Sequence, residues 1–161
     1  MIYYLSLGSN LGDRRQSLQR ALDCLVRLGR LVRLSAVYES EPVGMENQPL
    51  FLNMLCILQS DLHPHRFLRK LKAFEVELGR RFASKWGPRI IDIDIVEYDG
   101  EVVASSILQI PHKEWERRNF VLIPFKALVP QFVTRTGKPI QLLVEKSPDK
   151  SRVNIIFERI Y

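Results

Sequence analysis

The chain has 161 residues, 46% of them hydrophobic and 26% charged, with a formal net charge of +6. That length suits one domain burying roughly 70% of the surface its unfolded form exposes, and the longest apolar runs fall far short of the ~20 residues needed to span a bilayer. The positive balance points to an anionic partner without choosing between a nucleotide and a nucleic acid. The N-terminus begins as a strand, with no basic leader or long apolar core, so the expectation is a cytoplasmic protein, neither secreted nor membrane-bound. Cys24 and Cys56 match no metal-ligand spacing and no C-x-x-C pattern, and each lies in an apolar periodic segment. They read as buried free thiols of a reducing compartment.

In chain order, residues 2 to 8 form a first strand ending at Gly8-Ser9-Asn10. Asp13 or Asn10 caps the helix that follows, with Leu18, Leu22, Leu25 and Val26 at helical spacing and Gly29 at its end. Leu31 to Tyr38 alternates as one strand, and Phe51 to Leu58 forms another after the Pro- and Gly-containing segment Glu41 to Pro49. Pro64 opens a second helix bearing Phe67, Leu68, Leu71, Phe74 and Leu78, which stops at Gly79. Ile90 to Tyr98 is the fourth strand. Val102-Val103 is expected to pair with it as a hairpin through Asp99-Gly100, and Glu114 to Leu128 reads as helical pieces interrupted by Pro124. Ile140 to Val144 gives a weaker signal, and Val153 to Ile160 reads as a strand. The order is β-α-β-β-α-β, an α+β fold with a ferredoxin-like core: an antiparallel sheet with both helices on one face, and the other face open to a site or to further helices.

The richest stretch is Lys85-Trp86-Gly87-Pro88-Arg89-Ile90-Ile91-Asp92-Ile93-Asp94-Ile95-Val96. Alternation turns Asp92 and Asp94 to one face of a strand, with Cα atoms about 7 Å apart. Taken alone, Asp-x-Asp reads either as the wet side of a half-exposed strand or as a pair of like charges with a cation between them, for which hard oxygen ligands select Mg²⁺ or Ca²⁺. Gly87 and Pro88 fix a turn that sets Arg89 at the strand's start, where a guanidinium can meet phosphate oxygens through two hydrogen bonds, and Trp86 can lie over a flat ring.

Four other segments carry candidate chemistry. Gly8-Ser9-Asn10-Leu11-Gly12 follows a strand and opens a helix but lacks both the Walker and the dinucleotide patterns, so it reads as a turn and cap ahead of an anion cradle. Glu75, Glu77, Arg80 and Arg81 crowd the end of the second helix, either as a solvated charged end or, for Arg80, as a neighbour of the aspartates. Pro111-His112-Lys113 through Phe120 gathers one histidine, three cations and two aromatics, which leaves His112 either structural or in contact with phosphate. Asn53 is polar among Phe51, Leu52, Met54 and Leu55, and needs an edge position or a flat heterocycle to satisfy it.

Six segments in order resemble the 6-hydroxymethyl-7,8-dihydropterin pyrophosphokinase family. They are Leu7 to Gly12, Tyr38 to Gly44, Gln48 to Asn53, Lys85 to Val96, Ile110 to His112 and Arg118 to Pro124. The resemblance covers nearly the whole chain and implies a single-domain enzyme that moves the terminal pyrophosphate of ATP onto a pterin alcohol, releasing AMP. It implies two Mg²⁺ ions on Asp92 and Asp94, with Arg80 and Arg89 acting in catalysis. Glu75, Trp86, His112 and Arg118 match ATP-site positions. Ser40, Pro42, Val43, Phe51, Asn53 and Phe120 match the pterin pocket, with the ring between Phe51 and Phe120. A monomer is implied, with ATP and a pterin as its partners and no nucleic acid or membrane. Two positions depart from the family's common pattern: Phe82 stands where a second arginine is frequent, and Lys113 where an aromatic is. An RNA-binding module shares the β-α-β-β-α-β plan but needs stacked aromatics in a Lys/Arg-Gly-Phe/Tyr context, which this chain lacks. A polymerase-like palm draws an acid from its first strand, and Ile2 to Leu7 contains none.

Overall fold

Apolar alternation in the first strand decides the architecture, because its odd and even positions bury against different layers. The computed structural model describes residues 1–44, 47–81 and 87–161. Its elements are β1 (Ile2–Ser9), α1 (Arg14–Leu25), β2 (Arg30–Leu34), β3 (Val37–Ser40), β4 (Phe51–Gln59), α2 (Pro64–Glu77), β5 (Asp92–Tyr98), β6 (Val103–Ala104), β7 (Gln109–Ile110), a 3₁₀ turn at Trp115–Arg117, α3 (Asn119–Leu128), α4 (Ile140–Glu145) and β8 (Val153–Phe157). The sheet runs β5-β1-β4-β3-β8, with β2 paired to the far half of β4. Every pairing in it is antiparallel.

On one face, Tyr3, Leu5 and Leu7 join Met54, Cys56 and Leu58 of β4 and Ile93 and Ile95 of β5 beneath α1 and α2. α1 buries Leu18, Leu22 and Leu25, and Asp13 caps it by accepting from the Gln16 N–H at 2.9 Å. α2 opens on Pro64 and ends before Gly79, whose φ of +100° is the left-handed conformation that closes a helix and favours glycine. Tyr3 stacks on Phe67 of α2 with ring centroids 4.2 Å apart.

On the other face, Leu55 and Ile57 meet Trp115, Val121, Leu122 and Phe125, with Ile140 and Leu143 of α4 behind. Phe125 is the hub, with Tyr4, Trp115 and Phe132 ring centroids at 5.2, 5.0 and 4.7 Å. So α3 and α4 cover the half of this face toward the end of β4, while the half at Gly8, Asn53 and Asp92 lines a cavity.

Four details differ from the sequence expectation. The strand read as Leu31 to Tyr38 is two, because the register against β4 slips by one residue between Leu34↔Cys56 and Tyr38↔Asn53. Ser35 fills the slip: its N–H donates to the Leu55 carbonyl, and its hydroxyl oxygen accepts from the Leu55 N–H, each at 2.9 Å. Val103 and Ala104 pair with Ile110 and Gln109 rather than with β5. Pro124 sits inside a continuous α3, removing only the bond that would run to the Phe120 carbonyl, and the helical break falls at Arg118 instead. Val26 lies past the end of α1 and is 53% exposed. Among the described residues, no helix is long and apolar enough to cross a membrane.

Phe125→Ala removes the hub of the second core, and the expected loss is about 3–5 kcal/mol, read from the shift in a urea unfolding midpoint. A loss below about 1 kcal/mol would show that the aromatic cluster does not hold α3 to the sheet.

Candidate active site

β1 lies between β4 and β5, and its register with both strands assembles the site. Gly8 stands opposite Asn53 on one side and Asp92 on the other; Ser6 stands opposite Leu55 and Asp94. Residues directly opposite in an antiparallel pair share a face, so Asn53, Asp92 and Asp94 all come to the face that α3 leaves uncovered. Gly8 makes the floor of this row flat. A Cβ there would lie 3.0 Å from the Asn53 Oδ1 and 3.7 Å from the Phe51 ring.

Above this floor is a cavity of about 320 Å³. Ser40, Pro42, Val43, Phe51, Asn53 and Phe120 line it, as do Arg80, Arg89, Asp92, Asp94, His112 and Arg118. Its size is that of a small-molecule site. Asn53 is 2% exposed and donates one amide hydrogen to the Ser40 hydroxyl at 2.7 Å. Its Oδ1 receives no protein hydrogen bond among the described residues and so remains available to a ligand.

At the charged end, Arg80 donates both to Asp92 Oδ1, at 2.7 Å, and to Glu75 Oε2, while Arg89 donates to Asp92 Oδ2. Burial pushes the Asp92 carboxyl up, but the guanidinium groups of Arg89 and Arg80, with Lys72 beyond, outweigh it and hold the group below the usual carboxylate range. Asp94, two residues on, behaves oppositely. Burial raises its carboxyl, the charge of Asp92 adds to that, and Lys72, His112 and Arg118 only partly offset the rise. Glu75 is 1% exposed and is likewise pushed up, chiefly by burial. Its Oε1 accepts from the Lys72 ammonium at 2.9 Å and from the Ile93 N–H at 2.8 Å, which ties α2 to β5 between the two aspartates.

His112 follows a cis Ile110–Pro111 bond and is anchored by its N–H on the Val96 carbonyl at 2.9 Å. Its Nδ1 accepts from the Glu114 N–H at 3.2 Å. Burial pulls its pKa down; Asp94 opposes the shift and Arg118 adds to it. The imidazole is therefore neutral near pH 7, with its proton on Nε2.

A family profile described as 7,8-dihydro-6-hydroxymethylpterin-pyrophosphokinase (HPPK) matches residues 4–130. The chain belongs to this family. A pyrophosphokinase relative from Aquifex aeolicus, named 2-amino-4-hydroxy-6-hydroxymethyldihydropteridine pyrophosphokinase, is 41% identical over 130 residues, covering 81% of each protein. The Pseudomonas aeruginosa protein of the same name is 37% identical over 147 residues, covering 90% of this chain and 91% of that one. The folic acid synthesis protein fol1 of Schizosaccharomyces pombe is 40% identical over 152 residues, 92% of this chain, yet this chain spans only 21% of it. The fold matches a crystal structure of Plasmodium falciparum HPPK-DHPS with a TM-score of 0.72, at 16% identity over 90% of this chain and 43% of that chain.

The cavity of this family member brings together twelve of the fourteen site residues expected from sequence. Glu75 lies outside its lining, behind Arg80 and Lys72, and Trp86 falls outside the described residues, as do Phe82 and Lys85. Lys113 is exposed. Asp92 and Asp94 form no cluster of three or more acid, histidine or cysteine ligands among the described residues. Two functional neighbours were not singled out from sequence. Lys72 lines the cavity; its one signal was the i, i+3 spacing to Glu75. Asn10, read only as a possible helix cap, is 1% exposed and works as a staple. Its Oδ1 accepts from the Arg89 N–H at 2.7 Å, its N–H donates to the Arg89 carbonyl at 3.0 Å, and its amide reaches the Gln48 Oε1 at 3.1 Å and the Pro49 carbonyl at 3.3 Å.

The two aspartates predict stability effects of opposite sign in ligand-free protein. Asp92, depressed in the fold, contributes stability that is full above the ordinary carboxylate range and is lost as pH falls through its folded pKa. Asp92→Asn should cost about 2 kcal/mol or more at pH 7, because two guanidinium groups then face each other without their anion. Asp94, raised in the fold, costs stability as pH rises through the window above the ordinary range, so Asp94→Asn should melt higher than wild type at pH 7, with the gap closing toward pH 4. Thermal melts of both variants across pH 4–8 check this, and equal shifts in the same direction would contradict it.

Proposed function

We propose that the protein transfers the terminal pyrophosphoryl group of ATP to the hydroxyl of 6-hydroxymethyl-7,8-dihydropterin, giving AMP and the pterin pyrophosphate, a step of folate biosynthesis. The observation that carries this reading is one cavity in which a flat, side-chain-free floor at Gly8 separates an amide and two aromatics from a carboxylate–guanidinium cluster. Family membership and the names of the relatives support it. On this reading the pterin lies between Phe51 and Phe120 with its polar edge on Asn53, where Ser40 holds the amide, while Pro42 and Val43 close the pocket. Aromatic faces orient a flat ring without adding charge.

The nucleotide half belongs to Arg80, Arg89, His112 and Arg118, with Glu75 behind Arg80; Trp86, outside the described residues, is assigned to this half by the family resemblance alone. The pair Asp92 and Asp94 fits a hard cation: both are oxygen donors, and Asp94 is pushed up by burial and by Asp92, a penalty a cation removes. Two Mg²⁺ ions held there would supply charge neutralisation on the phosphate oxygens. Arg80 and Arg89 give up Asp92 to meet the phosphates, and the guanidinium planes offer paired donors to the oxygens where charge develops. His112 donates through Nε2 as a neutral group, which adds orientation without a further charge. The pterin oxygen bonds to the β-phosphorus as the bond to the α-phosphate oxygen breaks in line, and AMP leaves. The hydroxyl proton is assigned to Asp94, whose carboxylate lines the cavity. The same reading has the protein act as a single-domain monomer in the cytoplasm, with neither nucleic acid nor membrane as partner.

Asp94→Ala should lower turnover by several orders of magnitude while leaving the fold intact by circular dichroism, and near-normal turnover would overturn the assignment of the aspartates. Asn53→Ala should raise the pterin Kd by about tenfold or more, as expected when a buried hydrogen bond to ligand is lost. Its affinity for a non-hydrolysable ATP analogue should stay within about twofold of wild type in equilibrium titrations. A loss confined to the nucleotide would reverse the two halves of the site.

A further inference from the structure

Arg80 holds two acids through one nitrogen, and the pyrophosphokinase reading draws that nitrogen toward phosphate. Asp92 is 17% exposed along its side chain and faces the cavity, so water or a cation can replace the guanidinium there. Glu75 has no such recourse, being 1% exposed and enclosed by protein. A buried carboxylate that loses its only cation is costly and holds that cation in place. Glu75 is not in that position, because Arg80 binds one of its oxygens while the other takes the Lys72 ammonium at 2.9 Å and the Ile93 N–H at 2.8 Å. Lys72 lies three residues before Glu75 on α2 and is 45% exposed along its side chain, so its stem reaches in from solvent.

Resting on that reading, we infer that Lys72 is a positioning residue for the transfer, giving Glu75 a second cation and keeping it bonded to Ile93 so that Arg80 can move from Glu75 to phosphate. The site has two cations on one buried acid, and only one of them has to stay. The bond from Ile93 to Glu75 lies between Asp92 and Asp94 in sequence, so the same lysine also steadies the strand that presents both aspartates. Lys72 lines the cavity as well, and a direct contact to phosphate is the competing role that the test must separate.

The test is a double-mutant cycle of Lys72→Met, Glu75→Gln and the combined variant, with Lys72→Arg as the conservative control. It uses the full chain at saturating MgATP over a range of pterin concentrations. Thermal melts establish that each variant folds, and equilibrium titration with a methylene-bridged ATP analogue reads nucleotide affinity independently of turnover. Lys72→Met should lower kcat by about tenfold or more with the pterin KM unchanged, because Arg80 then becomes the sole cation on Glu75. Lys72→Arg should restore most of the loss. The combined variant should be faster and bind the analogue more tightly than Lys72→Met alone, since removing the acid releases Arg80. A combined variant as slow as, or slower than, Lys72→Met would overturn the inference in favour of direct phosphate contact. Wild-type kinetics in Lys72→Met would overturn any role for this residue. Absence of AMP formation by the wild type would instead bring down the pyrophosphokinase reading, and the inference with it.

Discussion

The register of β1 against its two neighbours is the constraint on which the site depends. Because Gly8 pairs with both Asn53 and Asp92, and Ser6 with both Leu55 and Asp94, β4 and β5 residues 39 positions apart in sequence meet in two rows across β1. A slip of one residue in either pairing would send one half of the site to the opposite face. That slip is opposed by the two cores, since Leu5 and Leu7 must stay under α1 and α2 while Tyr4 stays against Phe125. Core packing and site assembly are therefore one condition. Gly8 adds a local requirement, because a side chain there would press on the Asn53 Oδ1 and stand where the cavity floor is flat.

The charged end has a different logic. Asp92 and Asp94 share a strand face, yet one is held down by two guanidinium groups and the other is pushed up by burial and by its neighbour. Arg80 and Arg89 pair with Asp92, and among the described residues Asp94 has no equivalent ion pair. On the proposed reading, phosphates and a divalent ion would exchange these partners, with Arg80 and Arg89 turning to phosphate and the two aspartates holding the cation. Such an exchange would keep the count of opposite-charge contacts roughly constant, so ligand could bind without stranding a buried charge. Asn10 supports it from below by holding the Arg89 main chain to the end of β1.

Much of this was legible in the chain. The 3.6-residue spacing of Leu18, Leu22 and Leu25, the Pro64 start and the Gly79 stop set both helices, and alternation in β1, β4 and β5 set the sheet. The Asp-x-Asp spacing placed both carboxylates on one face, and the family resemblance supplied most of the rest of the cavity lining, Lys72 excepted. What was missed lies in tertiary hydrogen bonds that leave no local pattern. The slip at Ser35 depends on its hydroxyl meeting Leu55, twenty residues away, and in sequence Leu31 to Tyr38 simply alternates. The pairing of Val103 with Ile110 is a contact between segments too short to carry periodicity. Asn10 looked like a cap because asparagine after a strand usually is one; its buried position over Arg89 appears only once β1 and the segment before β5 are side by side. Glu75 matched a nucleotide-site position by resemblance, whereas the fold sets it behind Arg80 and Lys72, outside the cavity lining.

The central claim is that the carboxylate–guanidinium cluster beside the pterin pocket moves a pyrophosphoryl group rather than a single phosphoryl group. The most direct measurement is nucleotide analysis after mixing the protein with MgATP, with and without 6-hydroxymethyl-7,8-dihydropterin, resolving AMP from ADP. The account predicts pterin-dependent AMP in equal amount to the pterin pyrophosphate, and no ADP. ADP formation, or no AMP above the pterin-free control, would contradict it.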